Sequence, residues 1–186
     1  SVIKYSASPG RITTEITAGE SYDINLYNNA AWDTKGDNRS GIFMLKARLG
    51  YRISDKAELL LTAGDEYQRA RALNYETIYR RNVLSSSLAG RYNPVSRLRL
   101  ILQARQTVVT GTATIPEFTA GATYLLSGDG RHVIKASMSR NSKLACLNDL
   151  YWVPGGNPGL KPERSAGGEA GYSFLTVASS GMRNKI

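Results

Sequence analysis

The chain has 186 residues, enough for one sizeable domain, and its formal net charge of +9 would suit nucleic acid, an acidic membrane surface or an anionic ligand. The single cysteine, Cys146, excludes an internal disulfide framework and a cysteine-rich metal site, and the one histidine leaves no histidine cluster. The sequence contains no window of 18 uncharged apolar residues, so it has no transmembrane helix.

Apolar residues recur at every second position along most of the chain, which is the period of a β-strand and not of a helix. Turn-forming residues such as Gly, Pro, Asn and Asp separate these segments. The pattern predicts one or two strands within residues 1–22. It then predicts strands at about 23–32, 41–54, 57–69, 77–92, 97–109, 117–127, 132–143 and 167–177.

The connections between the predicted strands alternate in length. Short turns are predicted at 54–56, 93–96 and 127–131, and longer polar connections at 33–40, 70–76, 110–116 and 144–165. The strands are long against the globular mode of about five to six residues, whereas tilted strands that span a membrane need about 9 to 11. Short turns at one end and long loops at the other are typical of outer-membrane barrels. The sequence therefore predicts an all-β, antiparallel meander of long hairpins that is part of a transmembrane β-barrel.

Each predicted strand has an apolar face and a polar face. We expect the apolar rows to face lipid, and they include Leu45, Leu49, Leu100, Ala122 and Tyr124. The opposite face carries a basic set that we expect to face the lumen, made of Lys46, Arg48, Arg52, Arg97, Arg99 and Arg105. The reverse assignment is unfavourable, because an arginine at the bilayer midplane costs roughly 2–4 kcal/mol. The basic set would either attract an anionic substrate or pair with water and with acidic groups of a plug domain.

One segment, residues 147–169, carries many fixed residues at fixed spacings. It reads L-N-D-L-Y-W-V-P-G-G-N-P-G-L-K-P-E-R-S-A-G-G-E. It resembles a segment of the TonB-dependent receptors of bacterial outer membranes, in which a rising strand ends in L-N-D-L-Y, a loop carries G-N-P-x-L-K-P-E-x-S, and the next strand opens with Glu. The matching residues are Leu147, Asn148, Asp149, Leu150, Tyr151, Gly156, Asn157, Pro158, Leu160, Lys161, Pro162, Glu163, Ser165 and Glu169. Just upstream, Ser142, Lys143, Leu144, Ala145 and Cys146 depart from the family's usual Phe, Arg, Ala, Pro and Thr.

The resemblance implies that residues 1–186 are a partial β-barrel domain of a longer receptor, without its plug domain. Barrels of this family have about 22 strands, so we expect this part alone to form an open curved sheet, a non-native closure or an oligomer. The resemblance further implies an outer-membrane receptor that imports a scarce, bulky nutrient, is not an enzyme and needs no cofactor.

Two kinds of partner follow from the same resemblance. One is the TonB energy-transducing complex, which contacts the N-terminal region of such receptors, and the other is a small-molecule or metal-chelate ligand. Lys161, Pro162 and Glu163 favour the branch that handles iron-siderophores, haem or cobalamin, since the glycan-importing branch more often reads Lys-Trp-Glu.

Tyr151 and Trp152 are the candidate ligand-binding residues, because they offer amphipathic aromatic surface on a stiff, proline-containing loop. The alternative is that the motif only folds back on the barrel rim and sets the entry of the next strand. His132 could ligate haem or a metal, but it lies beside the short turn 127–131, away from the end where ligands are captured, so we predict no metal site. We also predict no nucleic-acid partner, because aromatic residues do not interleave with the basic ones.

Two other classes of protein fit parts of the pattern. A passive outer-membrane channel or adhesin barrel would show the same alternation, but the motif at 147–169 argues against both. A soluble β-rich binding domain would fit the negative mean hydropathy, and it predicts apolar faces that pack together in water.

Overall fold

The computed structural model describes residues 1–29, 34–110, 112–177 and 183–185. These residues form strands joined by turns and loops, with one short helix. The elements in chain order are β1 (Val2–Ala7), β2 (Ile12–Asn29), β3 (Thr34–Ser54), β4 (Ala57–Arg71), β5 (Tyr79–Val95), β6 (Leu98–Val109), β7 (Thr112–Ala113), β8 (Glu117–Leu125), β9 (His132–Lys143), α1 (Leu147–Tyr151), β10 (Glu163–Val177) and β11 (Arg183–Lys185). Within these ranges no helix has the length and apolar character needed to cross a bilayer.

The strands form one antiparallel sheet that follows the order of the chain. Its order is β1-β2-β3-β4-β5-β6-β8-β9-β10-β11, and β7 pairs with the end of β6. Each long strand is therefore the hairpin partner of the next. In the part of the chain that the structure describes, β1 and β11 lie at opposite ends of this order, so the sheet is open. The predicted all-β, antiparallel meander of long hairpins is confirmed.

The predicted connection at 33–40 is wrong for residues 34–40, which belong to β3. β3 begins at Thr34 and pairs with β2 as far as Asn29. The polar side chains of this stretch suggested a loop, but backbone hydrogen bonds hold the ladder, and polar residues make these equally well. The predicted strand 23–32 begins earlier, at Ile12. It therefore includes part of residues 1–22, where one or two strands were predicted without defined bounds. Its predicted end, 30–32, and residue 33 lie outside the described residues.

The other predicted boundaries differ by a few residues. β4 continues to Arg71 and β5 begins at Tyr79, so this connection is 72–78 and not 70–76. The predicted connection 110–116 contains the short strand β7, and the predicted loop 144–165 contains α1 and the start of β10. Helix α1 has 5 residues, too few to show a helical period in the sequence.

Neighbouring residues of a strand differ in exposure, which shows that the sheet is curved. On β5, Val83, Ser85 and Ser87 are partly shielded, whereas Leu84 and Leu88 are exposed. We call the shielded side the inner face and the other side the outer face. Most of the large exposed apolar side chains on the strands belong to the outer face. In the described ranges the only buried hydrophobic residue is Ala70, so the sheet has almost no core of its own.

Candidate functional site

The two ends of the sheet differ in the connections they carry. One end, the turn end, has tight turns at residues 8–11, 55–56, 96–97 and 126–131. The opposite end, the loop end, carries the connections 72–78, 110–116 and 144–162. This segregation agrees with the alternation predicted from the sequence. It places the start of the motif, residues 147–162, at the loop end.

Helix α1 begins with a capping box. The sulfur of Cys146 accepts a hydrogen bond from Asp149 N–H at 3.4 Å, and the Asp149 carboxylate accepts one from Cys146 N–H at 3.0 Å. These bonds satisfy N–H groups that the start of a helix leaves free. Hydrogen bonds from the Cys146 side chain and backbone lower the pKa of Asp149. The thiol of Cys146 therefore serves as the capping side chain of α1.

After α1 the chain reverses in a compact loop. Trp152 N–H donates to Asn148 O at 3.1 Å, and Asn157 N–H donates to Asp149 O at 2.9 Å. Gly156 N–H donates to Trp152 O. A Cβ atom at Gly156 would lie 2.5 Å from Trp152 N, so only glycine fits at this close approach. The motif residues Gly156 and Asn157 therefore set the shape of the loop.

The remaining motif residues lead into β10. The loop contains Pro158, Leu160, Lys161 and Pro162, and the strand contains Glu163, Ser165 and Glu169. Glu163 opens β10 opposite Lys143, with 3.8 Å between its carboxylate and Lys143 Nζ. Glu169 accepts a hydrogen bond from Ser137 Oγ at 3.1 Å.

Helix α1 packs on the β4–β5 connection, although the two segments are distant in the sequence. Asn148 of α1 and Tyr75 of the connection, which are hydrogen-bonded, lie 73 residues apart along the chain. The ring of Tyr151 stacks on that of Tyr79, with centroids 3.7 Å apart and planes 5° apart. Tyr75 meets Tyr79 edge-on and donates a hydrogen bond to Asn148 Oδ1. Burial in this contact raises the pKa of Tyr75. The motif thus folds back on the rim, as one of the two interpretations of the sequence proposed.

Two further contacts fix the segments on either side of α1. Asn74 Nδ2 donates to Val153 O at 3.2 Å, and Val153 N–H donates to Asn74 O at 2.9 Å. Arg81 Nη1 donates to Ala145 O at 2.5 Å, while its Nε and Nη2 donate to Gln68 Oε1 at 2.9 and 2.6 Å. Arg81 of β5 thus links Gln68 of β4 to Ala145, just before α1, through charge-assisted hydrogen bonds.

A cavity of about 200 Å³ lies at the loop end between α1 and strands β2 to β4. Its aromatic wall is formed by Trp152 and Tyr75. Its polar wall includes Asp23, Asn25, Asn38 and Ser40, together with Asn148 of the motif. Trp152 therefore borders open space, whereas the Tyr151 ring is covered on one side by Tyr79. An aromatic plate facing hydrogen-bonding groups suits a ligand with both apolar and polar surface.

A second cavity, of about 280 Å³, lies on the inner face beside the start of α1 and is lined mainly by polar residues. Glu117, which is 9% exposed, accepts a hydrogen bond from Ser142 Oγ at 2.5 Å and lies 3.7 Å from Arg105 Nη1. Thr107 lines the same cavity, and its Oγ1 is buried without a hydrogen-bond partner among the described residues. A buried hydroxyl left unpaired costs about 1–3 kcal/mol. A bound group that forms a hydrogen bond with Thr107 Oγ1 would therefore be favoured here.

The predicted basic set lies mostly on the inner face. Arg48 pairs with Thr62 across β3 and β4, Thr62 pairs with Ser87, and Ser87 pairs with Arg105. Directly paired residues point to the same side, so these four side chains share one side of the sheet. By their spacing along the same strands, that side also carries Lys46, Arg52 and Arg99, whereas Arg97 lies in the turn 96–97.

Carboxylates of the same sheet neutralise part of this basic set. Arg48 lies 3.4 Å from Glu15, which also pairs with Lys4 at 2.8 Å. The pair of Arg105 with Glu117 adds a second case. These acidic partners on neighbouring strands were missed from the sequence, where only a plug domain or water was considered. Their signal is the cross-strand register, which places Glu15 opposite Arg48 and Glu117 opposite Arg105.

His132 begins β9 at the turn end, beside the turn 126–131. Its ring stacks on Phe174 with centroids 4.6 Å apart, and its Nδ1 hydrogen-bonds Tyr172 Oη. Throughout the described ranges, no group of three or more His, Cys, Asp or Glu residues could hold a metal ion.

The outer face carries an apolar band, which Asp65 interrupts between Leu45 and Leu84. The register places Leu45, Leu49, Leu100, Ala122 and Tyr124 together on this face. β5 rises from Tyr92 near the turn end to Asn82, which pairs with Tyr67 on β4. At about 3.3 Å per residue and a tilt of about 40°, this rise corresponds to a height of about 25 Å. A band of that height with aromatic residues at both edges matches the lipid-facing surface of outer-membrane barrels.

No protein-family model matches the chain. The vitamin B12 transporter BtuB of Vibrio vulnificus (strain YJ016) is 42% identical to it over 55 residues, which are 27% of this chain and 9% of that protein. Among solved structures, the siderophore receptor PirA of Pseudomonas aeruginosa superposes with a TM-score of 0.79 at 15% identity, covering 93% of this chain and 34% of that chain. This chain has the fold of part of a TonB-dependent receptor barrel.

The TonB-dependent receptor barrel accounts for several features at once. It explains the meander of long strands, the turn end and loop end, and the outer apolar band. The described sheet spans about a third of the receptor structure it matches, so its open edges agree with a larger closed barrel.

Proposed function

We propose that this chain is part of the barrel of an outer-membrane receptor that actively imports a scarce, bulky nutrient of the iron-siderophore, haem or cobalamin class. Residues 1–186 would supply one wall of that barrel, and a plug domain and the contact with the TonB complex would belong to other parts of the protein. The observation that carries the proposal is the motif loop, docked over the inner face with Trp152 beside a polar cavity.

The relatives support the class of function. One relative is by name a vitamin B12 transporter and the other is a siderophore receptor. Both names describe proteins that bind or carry a large nutrient complex, and neither describes an enzyme. Lys161, Pro162 and Glu163 favour the same branch of receptors.

Ligand contact would occur at the loop end, on the inner face. Trp152 would cover an apolar part of the ligand, and Asp23, Asn25 and Asn38 would meet its polar groups. Tyr151 would act by holding Trp152 in place, since its ring packs on Tyr79. Deeper on the inner face, Lys46, Arg52 and Arg99 would draw an anionic ligand inward.

Uptake by whole cells tests this proposal. Cells with the intact receptor as their only importer would be given labelled cobalamin, a ferric siderophore or haem, with and without a protonophore. We expect uptake of one of these classes, and its loss when the proton gradient collapses. Uptake that survives the protonophore would indicate a passive channel instead, and uptake of none would contradict the proposed ligand class.

Trp152→Ala tests the ligand site separately from transport. We expect it to weaken binding of the imported ligand to whole cells by about tenfold, the usual effect of removing an aromatic anchor. Leu160→Ala is the matched control, because Leu160 is an exposed apolar residue of the same loop that does not line the cavity. Equal binding by both variants would exclude Trp152 as a ligand contact.

The side of the membrane on which the loop end lies can be tested by labelling. A Cβ atom at Gly155 would meet nothing within 4 Å, so Gly155→Cys should be tolerated. In a Cys146→Ser background, we expect this cysteine to react with a membrane-impermeant thiol reagent on whole cells. Labelling that requires a broken outer membrane would place the loop end in the periplasm.

A soluble β-rich binding domain is disfavoured by the outer face. Residues such as Leu84, Leu88 and Leu102 are more than half exposed there, and in the described ranges nothing covers them. Apolar rows of this extent are unfavourable in water but favourable against lipid.

A further inference from the structure

Four arginines lie together on the outer face near the loop end. Arg39 and Arg71 are direct cross-strand partners on β3 and β4, and Arg69 and Arg80 are direct partners on β4 and β5. Like charges directly opposite each other destabilise a sheet. Two such pairs side by side therefore concentrate positive charge, and a bound anion would reduce the repulsion among the four arginines.

The cluster lies just beyond the apolar band. Asn82 and its partner Tyr67 mark the upper edge of that band, and Arg69 and Arg80 are the next residues on the same face toward the loop end. Two residues of a tilted strand correspond to about 5 Å of height. If the band spans the hydrocarbon layer, the guanidinium groups lie at the level of lipid headgroups.

A cavity of about 480 Å³ opens beside these arginines. Its basic lining consists of Arg39, Arg69 and Arg71, and its aromatic lining of Tyr22, Phe43 and Tyr67. Gly41, which pairs with Arg69, has no side chain, and the ring of Tyr22 lies 3.4 Å from where its Cβ atom would stand. Cationic groups above aromatic rings match the two parts of a lipid at the membrane surface, the phosphate and the upper acyl chain.

Carboxylates of the chain do not neutralise the cluster completely. Asp37 binds Arg39 through both oxygens, at 2.7 and 2.9 Å, and Glu20 also lines the cavity. Among the described residues, no carboxylate lies within ion-pair distance of Arg69, Arg71 or Arg80. Two acidic groups against four arginines leave a net positive charge.

We propose that this cluster binds the phosphate of an anionic lipid headgroup in the surrounding membrane, with Arg69 and Arg71 as its principal donors. The inference rests on the proposed function only in placing the outer face against lipid. Guanidinium groups bind phosphate through paired N–H donors, and Arg69 and Arg71 are the cavity-lining arginines without a carboxylate partner in the described ranges. Lipid bound here would fasten β2, β3 and β4 to the membrane surface.

Lipid binding to the purified intact receptor tests the proposal. Native mass spectrometry would count lipids retained from detergent micelles that contain phosphatidylglycerol, zwitterionic phosphatidylcholine or uncharged diacylglycerol, and inorganic phosphate would be tested as a competitor. The wild type should retain phosphatidylglycerol in preference to the other two lipids. The double variant R69Q/R71Q should bind it about tenfold more weakly, through the loss of two charge-assisted donors.

The control variant R11Q/R131Q removes the same two charges at the turn end, where both side chains are exposed. It should bind phosphatidylglycerol as the wild type does. Equal loss in both double variants would reduce the effect to net charge and overturn the proposal. Inorganic phosphate that binds as tightly as the lipid would also overturn it, because the site would then be a general anion site. The assay involves no nutrient ligand, so a failure of the proposed transport function would leave its result unchanged.

Discussion

A charge placed at the middle of the apolar band gives the sharpest test of which face meets lipid. Leu88 lies on the outer face of β5 and is 51% exposed. It is four residues above Tyr92, which corresponds to about 10 Å, near the middle of a band about 25 Å high. We expect Leu88→Arg to cost about 2–4 kcal/mol of folding free energy in a bilayer, the usual penalty for arginine at the midplane.

The neighbouring residue provides a matched control at the same height. Ala89 lies on the inner face, opposite Leu60 and Gln103. Ala89→Arg introduces the same side chain on the same strand, but into the polar interior of the barrel, where we expect a cost below about 1 kcal/mol. The difference between the two variants therefore isolates the environment of each face from the effect of charge and of strand propensity.

The measurement is folding of the intact receptor into phosphocholine vesicles across a urea titration. The folded fraction is read from the change in gel mobility between heated and unheated samples. We expect the midpoint of Leu88→Arg to fall well below those of the wild type and of Ala89→Arg. Equal midpoints would show that neither face meets lipid, and the reverse order would show that the two faces are assigned backwards.

Two further predictions concern the motif loop. Gly156→Ala should loosen the loop, because its Cβ would lie 2.5 Å from Trp152 N, whereas Gly155→Ala should have no effect. Limited proteolysis with chymotrypsin at the exposed Leu160 would distinguish the two variants. Equal cleavage of both variants would contradict the close approach. The lowered pKa of Asp149 implies that its capping contribution is complete above the unfolded carboxyl pKa and is lost as the pH falls through the lowered value. Hydrogen exchange of α1, corrected for intrinsic rates, should rise over that range in the wild type, and Asp149→Asn should remove this pH dependence.

The strands and their faces could be predicted because they depend on local pattern. A period of two fixes which residues share a face, and short turns fix which strands are neighbours. Leu45, Leu49 and Leu100 therefore fell on one side and Arg48 and Arg105 on the other, as the register has them. The length of β3 was underestimated, because its polar residues 34–40 show no alternation of apolar and polar side chains. Their backbone nevertheless continues the hydrogen-bonded ladder with β2.

The contacts of the motif could not be predicted, because they join segments distant in the sequence. Tyr75 and Tyr79 carry no pattern that links them to Asn148 and Tyr151. Their pairing depends on how the sheet curves and on which loops come together at its end. Sequence periodicity determines the neighbours of each strand, but it does not determine how a loop lies across the inner face.

The residues that identify the family are largely different from the residues that would select a ligand. Asp149, Tyr151, Gly156 and Asn157 make contacts within the loop or with the rim, so their chemistry serves any ligand equally well. Apart from Asn148, the polar wall of the adjoining cavity is built from residues outside the motif, such as Asp23, Asn25 and Asn38. Because these side chains lie on β2 and β3, they can change without disturbing the capping box or the Tyr151–Tyr79 stack. We therefore expect exchange of this polar wall between two receptors of the family to alter ligand preference, whereas replacement of the capping residue Cys146 by the family's usual Thr should leave it unchanged.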